Sequence, residues 1–358
     1  MAQLDLLPDL QTGTVAGVRE QYGGDARNGK ENIKFSIRLK LRMTMEAYVS
    51  WLKNRNMPVY EMAGTYWRSY QKALIPASLK PEPIIISEEQ GQQLLERSGA
   101  LLLRYFTHTV KYPTSFWYSA CKEYDIKNLS QKVRGRIRRG YKSCSVKRID
   151  PLWLADNGYA CYASAFSRYR NAEPDSKEQF DAICRWAVGG PFEFWGVFVG
   201  DTLAGFEKFA VGHDYAASLV LKLDPNYIHE SIGPALKDTT LSAYVTQQQK
   251  TMYNGFRSVI HETNTHDFLL TLGFSRVYCD LKIIYRPAVK ACVDLLYNHR
   301  PLLNRLPEST IKSKILGLLS QEEIRRSIEF DGKRPYRANI LERIVRSVWG
   351  NRYGASEK

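Results

Sequence analysis

The sequence predicts a mixed α+β fold: a mostly antiparallel central sheet flanked by helices, with a helical C-terminal extension. Three observations predict it. Between Phe192 and Leu223 the apolar pattern has the period of strands. Gly200-Asp201 and Gly212-His213-Asp214 cut it into three antiparallel segments. On either side of that meander, apolar residues recur at the helical spacing of three and four. From about Ala288 the pattern stays helical, punctuated by Pro301 and Pro307.

Taken in order, residues 1 to about 35 are polar and glycine-containing and are expected to be loose. Residues 44–56 form a helix, with Met45, Tyr48, Trp51 and Leu52 on one face. Residues 64–83 open with a helical reading and are stopped by prolines. Ser87 followed by Gln90 is the signature of a capping box, so a helix starts there. The apolar run 100–108 and the aromatic-rich run 115–122 are strands.

Lys127 to Ile149 holds nine Lys and Arg residues and no Asp or Glu. Leu129, Val133, Ile137 and Tyr141 recur every four residues within it, which predicts one buried stripe on a helix capped by Ser130. Arg134, Arg136, Arg138 and Arg139 then fall on the other faces. Gly140 ends the helix and residues 144–149 form a strand. One long helix over 150–170 and a second over 176–190 precede the meander. A loop over 224–234, a helix over 235–249, a short helix ending at Gly273 and one closing strand over 275–287 follow it.

The net charge of +14 attracts nucleic acid, anionic membrane surfaces or phosphorylated cofactors, and charge alone does not rank them. The six cysteines form no C-x-x-C pair and the histidines no H-x-x-x-H pair, which argues against a zinc site and a disulfide framework. No basic segment followed by an apolar run opens the chain, and no apolar run reaches the roughly 20 residues of a membrane span. A cytoplasmic protein without a resident metal is the expectation.

Four stretches give the chain a resemblance to the GNAT acyltransferase superfamily, and within it to the branch of Fem-type peptidoglycan-bridge aminoacyltransferases. They are "LSQKVRGRIRRGYKSCSVKRI", "GVFVGDTLAGFEKFAVGHDYAASLVLKL", "LDPNYIHESIGPALKDTTLSAYV" and "TNTHDFLLTLGFSRVY". The first resembles the branch's basic opening helix, and the second a meander with a tight turn between the central strands. The third is similar to a strand-to-helix transition, and the fourth to an Asn-bearing helix ending in Leu-Gly-Phe. They place an acyltransferase domain at 100–287. Residues 1–99 form a partly helical N-terminal region, for which a reduced first GNAT-like half is one open reading, and residues 288–358 a helical extension. The superfamily's Gln/Arg-x-x-Gly-x-Gly/Ala phosphate loop is absent; "HESIGPA" stands in its place.

The resemblance implies an N-acyltransferase that moves an acyl group from acyl-CoA to an amine by direct attack, without metal. A helix N-terminus holds phosphate through its free N–H groups and dipole. Ser231, Ile232 and Gly233 are therefore expected at the donor's phosphates, with Lys237 and Asn264 as further donor contacts and Lys222 as added charge. His261 and Glu262 are candidates for proton transfer and Tyr253 for the acid. Arg134, Arg136, Arg138 and Arg139 are expected to meet an anionic substrate or polyanion. Two other readings stay open: an aminoacyl-tRNA-dependent transferase, and a non-catalytic nucleic-acid-binding protein on the same fold.

Overall fold

In the computed structural model, the structure describes residues 44–70, 72–108, 114–168, 173–258, 265–303 and 309–329. The chain builds two sheets. Helix α1 (Met45–Lys53) is capped by the Thr44 hydroxyl. It leads into β1 (Val59–Met62), β2 (Thr65–Tyr70) and β3 (Ala73–Pro76), an antiparallel meander. Residues 64–83 are therefore two strands and not the start of a helix. Trp67 and Leu74 are both fully buried, and the pairing of their strands, Trp67 with Tyr60 and Pro76 and Leu74 with Ser69 and Leu103, overrides the local helical reading.

Helix α2 (Glu88–Ser98) begins with the expected Ser87–Gln90 capping box. Strand β4 (Leu102–Thr107) then returns parallel to β3, pairing Ala73 with Leu102 and Leu74 with Leu103. Beyond that short pair the connecting segment folds back, and the Ile84 N–H donates to the Phe106 carbonyl at 2.9 Å, closing the gap. Strand β5 (Trp117–Cys121) leaves this sheet and joins the second one.

Helix α3 (Gln131–Ser143) follows, with the Ser130 hydroxyl capping it as expected. After β6 (Ser145–Ile149), the predicted long helix splits into α4 (Pro151–Asn157) and α5 (Tyr159–Ala165) at Gly158. A Cβ at Gly158 would stand 2.4 Å from Leu154 Cδ1, so the kink depends on glycine. Helix α6 (Lys177–Trp186) carries its own capping box at Ser176 and Gln179.

Strands β7 (Phe192–Val199), β8 (Thr202–Val211) and β9 (Tyr215–Leu223) are the predicted meander. Gly200 takes φ 57° in the first turn, where a side chain would strain the backbone. Helix α7 (Ile232–Leu241) ends in a widened turn, and β10 (Thr251–Phe256) runs parallel to β9. Helix α8 (Thr265–Leu270) leads to β11 (Ser275–Tyr278) and β12 (Asp280–Tyr285). The sequence predicts one strand here. The chain breaks it at Cys279, whose N–H donates to Phe116 at 3.1 Å, and sends the two halves to different sheets. Helices α9 (Pro287–Asn298), α10 (Arg300–Leu303) and α11 (Thr310–Glu329) complete the described residues.

The second sheet has the order β11-β5-β10-β9-β8-β7-β6 and the first the order β1-β2-β3-β4-β12. Each contains an antiparallel meander, then a parallel pair with a helix between its strands. The strands β5 and β12 cross between the sheets and tie them together. Helices α1, α4, α5 and α6 cover one face of the seven-stranded sheet, and α3 and α7 the other. This is the mixed, mostly antiparallel, helix-flanked arrangement that the sequence predicts.

Candidate functional site

The seven-stranded sheet opens between β9 and β10. These strands pair only over Tyr215–Thr251, Ala216–Met252 and Ala217–Tyr253. Both are then deflected at the same level. On β9 the register with β8 jumps from Phe209–Ser218 to Lys208–Val220, so Leu219 is an extra residue in a bulge. On β10 the register with β5 breaks between Tyr253 and Phe256, and Gly255 takes φ 68°. The result is a wedge whose apex lies at Ala217 and Tyr253. Beyond the apex, the backbone groups of β9 that face β10 have no strand partner among the described residues. Such groups call for hydrogen bonds from elsewhere, and a ligand that carries amides can supply them as an added strand.

The floor of the wedge is a polar cluster inside the core. Lys237 projects from α7 and donates to Glu207 on β8 and, at 2.7 Å, to Asn254 on β10. Ser218 on β9 donates to the same Glu207 oxygen at 2.5 Å. The other Glu207 oxygen is buried with no hydrogen-bond partner among the described residues. Asn254 is the first residue past the last β9–β10 pair, so Lys237 spans the floor from β8 to β10 at the level where the strands part. The sequence expectation that Lys237 reaches a phosphate is corrected here: its side chain has no exposure and is committed to two partners.

The N-terminus of α7 is closed. Ser231 takes φ 62° and gives the helix no side-chain cap. Ser231, Ile232 and Gly233 are all buried. Helix α3 packs on this end so closely that a Cβ at Gly140 would lie 2.7 Å from the Ser231 carbonyl oxygen. Gly233 makes room for Leu223 instead of for a ligand: its Cβ would stand 2.9 Å from Leu223 Cδ1. The residues named from the sequence as a phosphate dock are thus brought together, buried beneath α3.

On α3, Val133 and Ile137 are buried as expected, as is Leu129 just before the helix. Tyr141 departs from the predicted stripe and is 48% exposed. Gly140 takes the contact with α7, and the Tyr141 hydroxyl donates to Asp238 Oδ2 at 2.5 Å. The Tyr124 hydroxyl donates to Asp238 Oδ1. Burial and then the bond to Asp238 push both phenols up, so both remain donors. Arg136, Arg138 and Arg139 are exposed, while Arg134 is half-buried and donates to the Lys127 carbonyl at 3.1 Å.

His261, Glu262 and Asn264 lie outside the described residues. Tyr253 is at the wedge apex, half-buried, with its hydroxyl pushed up chiefly by burial and so protonated at neutral pH. Lys222 is buried, with its ammonium 3.9 Å from the centre of the Phe166 ring. Sequence reasoning missed two groups. His266 is buried with Nδ1 3.0 Å from the Ser119 hydroxyl, and burial holds it below the usual imidazole range. Lys208 is buried with its ammonium 4.2 Å from the Phe192 ring, and desolvation brings it down to about 8. Lys208 alternates with Glu207 and Phe209 in the meander, and that period puts it on a covered face; nothing comparable marks His266.

Among the described residues, no group of three or more His, Cys, Asp or Glu side chains is placed to hold a metal ion. No described helix is long and apolar enough to cross a membrane.

No protein-family model and no curated protein matches the sequence. Solved structures do resemble the fold. The C-terminal domain assigned to a lysylphosphatidylglycerol synthetase of Agrobacterium fabrum overlays 75% of this chain and 95% of its own, at 9% identity and a TM-score of 0.47. L-PGS from Bacillus licheniformis overlays 81% of this chain and 96% of its own, at 9% identity and a TM-score of 0.46. FemX overlays 74% and 98%, at 9% identity and a TM-score of 0.44. The similarity is one of partial strand and helix overlap, and the chemistry of the site has to come from its own residues.

Proposed function

We propose that the chain is an N-acyltransferase of the GNAT type that takes its acyl donor into the wedge between β9 and β10. The observation that carries this reading is the free inner edge of β9 beyond Ala217, with the bulge at Leu219 beside it. An acyl-CoA donor has amides in its pantetheine arm that pair with such an edge as a short strand. Its acyl carbonyl then comes to the apex, where strand N–H groups polarise the oxygen as it gains negative charge. The acceptor amine attacks the carbonyl carbon. A C–N bond forms, the C–S bond breaks, and Tyr253 returns a proton to the leaving sulfur. His261 or Glu262 takes the proton from the amine.

A second reading concerns the donor alone. The closed α7 end and the exposed Arg136, Arg138 and Arg139 favour a polyanionic carrier, such as aminoacyl-tRNA, over the pyrophosphate of coenzyme A. In that case the broken bond is the ester C–O, and Tyr253 protonates the ribose oxygen.

The test is transfer of a labelled acyl group to a panel of amines from acetyl-CoA and from aminoacyl-tRNA, read by mass spectrometry. Donor binding across a salt series runs beside it. Transfer from acetyl-CoA with a shallow salt slope supports the first reading; transfer from tRNA with a steep slope supports the second. A folded protein that binds nucleic acid but transfers from neither donor leaves the non-catalytic rival standing.

A further inference from the structure

A second cavity lies in the other sheet, away from the wedge. It has a volume of about 360 Å³ and is bounded by α2, β4, β12, α9 and α11. Glu88 opens α2 at its rim, Tyr105 comes from β4, Lys282 and Ile284 from β12, Lys290 from α9 and Arg325 from α11. The volume is in the range of small-molecule sites.

The polar groups of this cavity are unevenly satisfied. Arg325 is largely buried and paired with Glu322 at 2.5 Å. Lys290 is paired with Asp294 at 3.2 Å. The Lys282 ammonium, by contrast, has no hydrogen-bond or ion-pair partner among the described residues, and neither has the Tyr105 hydroxyl. Tyr105 is largely buried as a residue, and it lines the cavity beside Lys282. Glu88 is held by the Gln92 side-chain amide at 3.1 Å and supplies an acceptor at the rim. The wall is stiff: α2 packs on β12 through Gly91, where a Cβ would meet Ile284 Cδ1 at 2.4 Å. Arg325 and Lys290 are thus neutralised by their own carboxylates, and Lys282, with Asp280 nearby but no carboxylate at ion-pair distance among the described residues, is the cation of the lining left for a ligand.

We propose that this cavity binds a small organic oxyanion, a carboxylate or phosphate ester that also carries a hydroxyl. The anionic group sits against Lys282. Tyr105 donates a hydrogen bond to the same group or to the ligand hydroxyl. The hydroxyl in turn donates to Glu88, and the ligand's apolar part lies on Ile284. The site shares no residue with the wedge, so it stands whether or not the chain transfers acyl groups.

The experiment is calorimetry and thermal melting of the full chain with glycerol 3-phosphate, citrate, inorganic phosphate and, as the uncharged control, glycerol. Binding of a ligand to the folded state alone raises Tm by mass action. At least one of the two organic anions should bind and raise Tm, and glycerol should not. Lys282→Met should weaken that binding at least tenfold and Tyr105→Phe by several-fold, each with an unchanged melting temperature in ligand-free buffer. The Arg136→Gln/Arg139→Gln variant, altered on the distant α3 surface, should bind as wild type does. Phosphate ester preferred over citrate assigns a phosphorylated ligand, and the reverse assigns a polycarboxylate. The proposal is overturned by no binding of either organic anion. It is equally overturned by binding that Lys282→Met leaves intact, which marks general attraction to a basic chain, or by inorganic phosphate binding as tightly as the esters.

Discussion

Lys237 and Glu207 form an ion pair in which neither side chain has any exposure to solvent. The pair joins α7 to the centre of the seven-stranded sheet, and through Asn254 it reaches the strand on the far side of the wedge. Removing one member leaves the other as a lone buried charge. Lys237→Met should therefore cost about 3–5 kcal/mol. Combining it with Glu207→Gln should recover part of that loss, because the charge goes with its partner. Urea denaturation of the two variants checks this; a Lys237→Met protein as stable as wild type would show that the pair is not what holds the floor.

The basic helix separates charge from packing. Ile137→Ala removes a fully buried side chain and should cost about 2–5 kcal/mol. Gly140→Val drives a side chain into Ser231 and Ala235 and should cost about 1–3 kcal/mol. Arg136→Gln with Arg139→Gln should change stability by less than about 0.5 kcal/mol. That double change should nonetheless flatten the salt dependence of polyanion binding by up to two phosphate contacts. Denaturation curves and a salt titration on the same preparations separate the two roles.

The legible parts of the fold are those set by local chemistry. The caps at Ser87 and Ser130 and the turn at Gly200 depend on residues within four positions of each other, and sequence spacing carries them. The strands at 65–76 were hidden because Trp67 and Leu74 read equally well on a helix; only pairing with β1 and β4 decides the matter. The split at Cys279 is likewise invisible locally, since two sheets claim the two halves of one apolar run. At the site, Gly233 and Lys237 look like a phosphate dock in sequence. The approach of α3 and the charge of Glu207 from β8 change their roles, and both come from more than 25 residues away. His266 gives no sign of burial, because its partner Ser119 is 147 residues distant.

His266 makes folding sensitive to acid. Burial lowers its pKa in the folded state, with the Ser119 hydroxyl and the Trp117 ring beside it and the charges of Arg276 and Asp267 nearby. The unfolded chain takes up a proton near the ordinary value of 6.5 while the folded chain does not. The stability from neutral His266 is thus full above that value and is lost as pH falls below it, down to the lower folded pKa. Denaturation midpoints at pH 7.5 and 5.5 should differ less in His266→Gln than in the wild type. Equal pH dependence in both would place the acid sensitivity elsewhere.

Lys208 acts in the alkaline range and with the opposite balance of states. Its folded pKa is about 8 against the usual 10.5, because burial among Phe192, Phe194 and Trp186 disfavours the charge. Between those values the unfolded chain holds a proton that the folded chain has released, so stability rises with pH across that window. Below about pH 8 both states are charged and the desolvation penalty is carried in full. Lys208→Met should stabilise the protein at pH 7 and remove the rise between pH 8 and 10. Guanidinium titrations at the two pH values test it; a destabilised Lys208→Met would mean the ammonium makes a favourable contact stronger than its desolvation cost.

Gly233 decides between two accounts of the donor. If the α7 end held phosphate, Gly233→Asp would weaken donor binding and leave folding nearly untouched. The closed end predicts the reverse: the carboxylate would be buried without a partner, and the variant should be strongly destabilised. Because an unfolded variant says nothing about binding, Gly233→Ala is the informative change. Its methyl meets only Leu223 Cδ1 at 2.9 Å, the end of a flexible side chain, and alanine's better helix propensity offsets part of that contact. It should fold as wild type does and bind the donor within about twofold, since the proposed function lays the donor's arm along β9 and has its charge met elsewhere. A tenfold loss of donor affinity, about 1.4 kcal/mol, in a fully folded Gly233→Ala would mean that α3 moves aside on binding and that the helix end is the phosphate site after all.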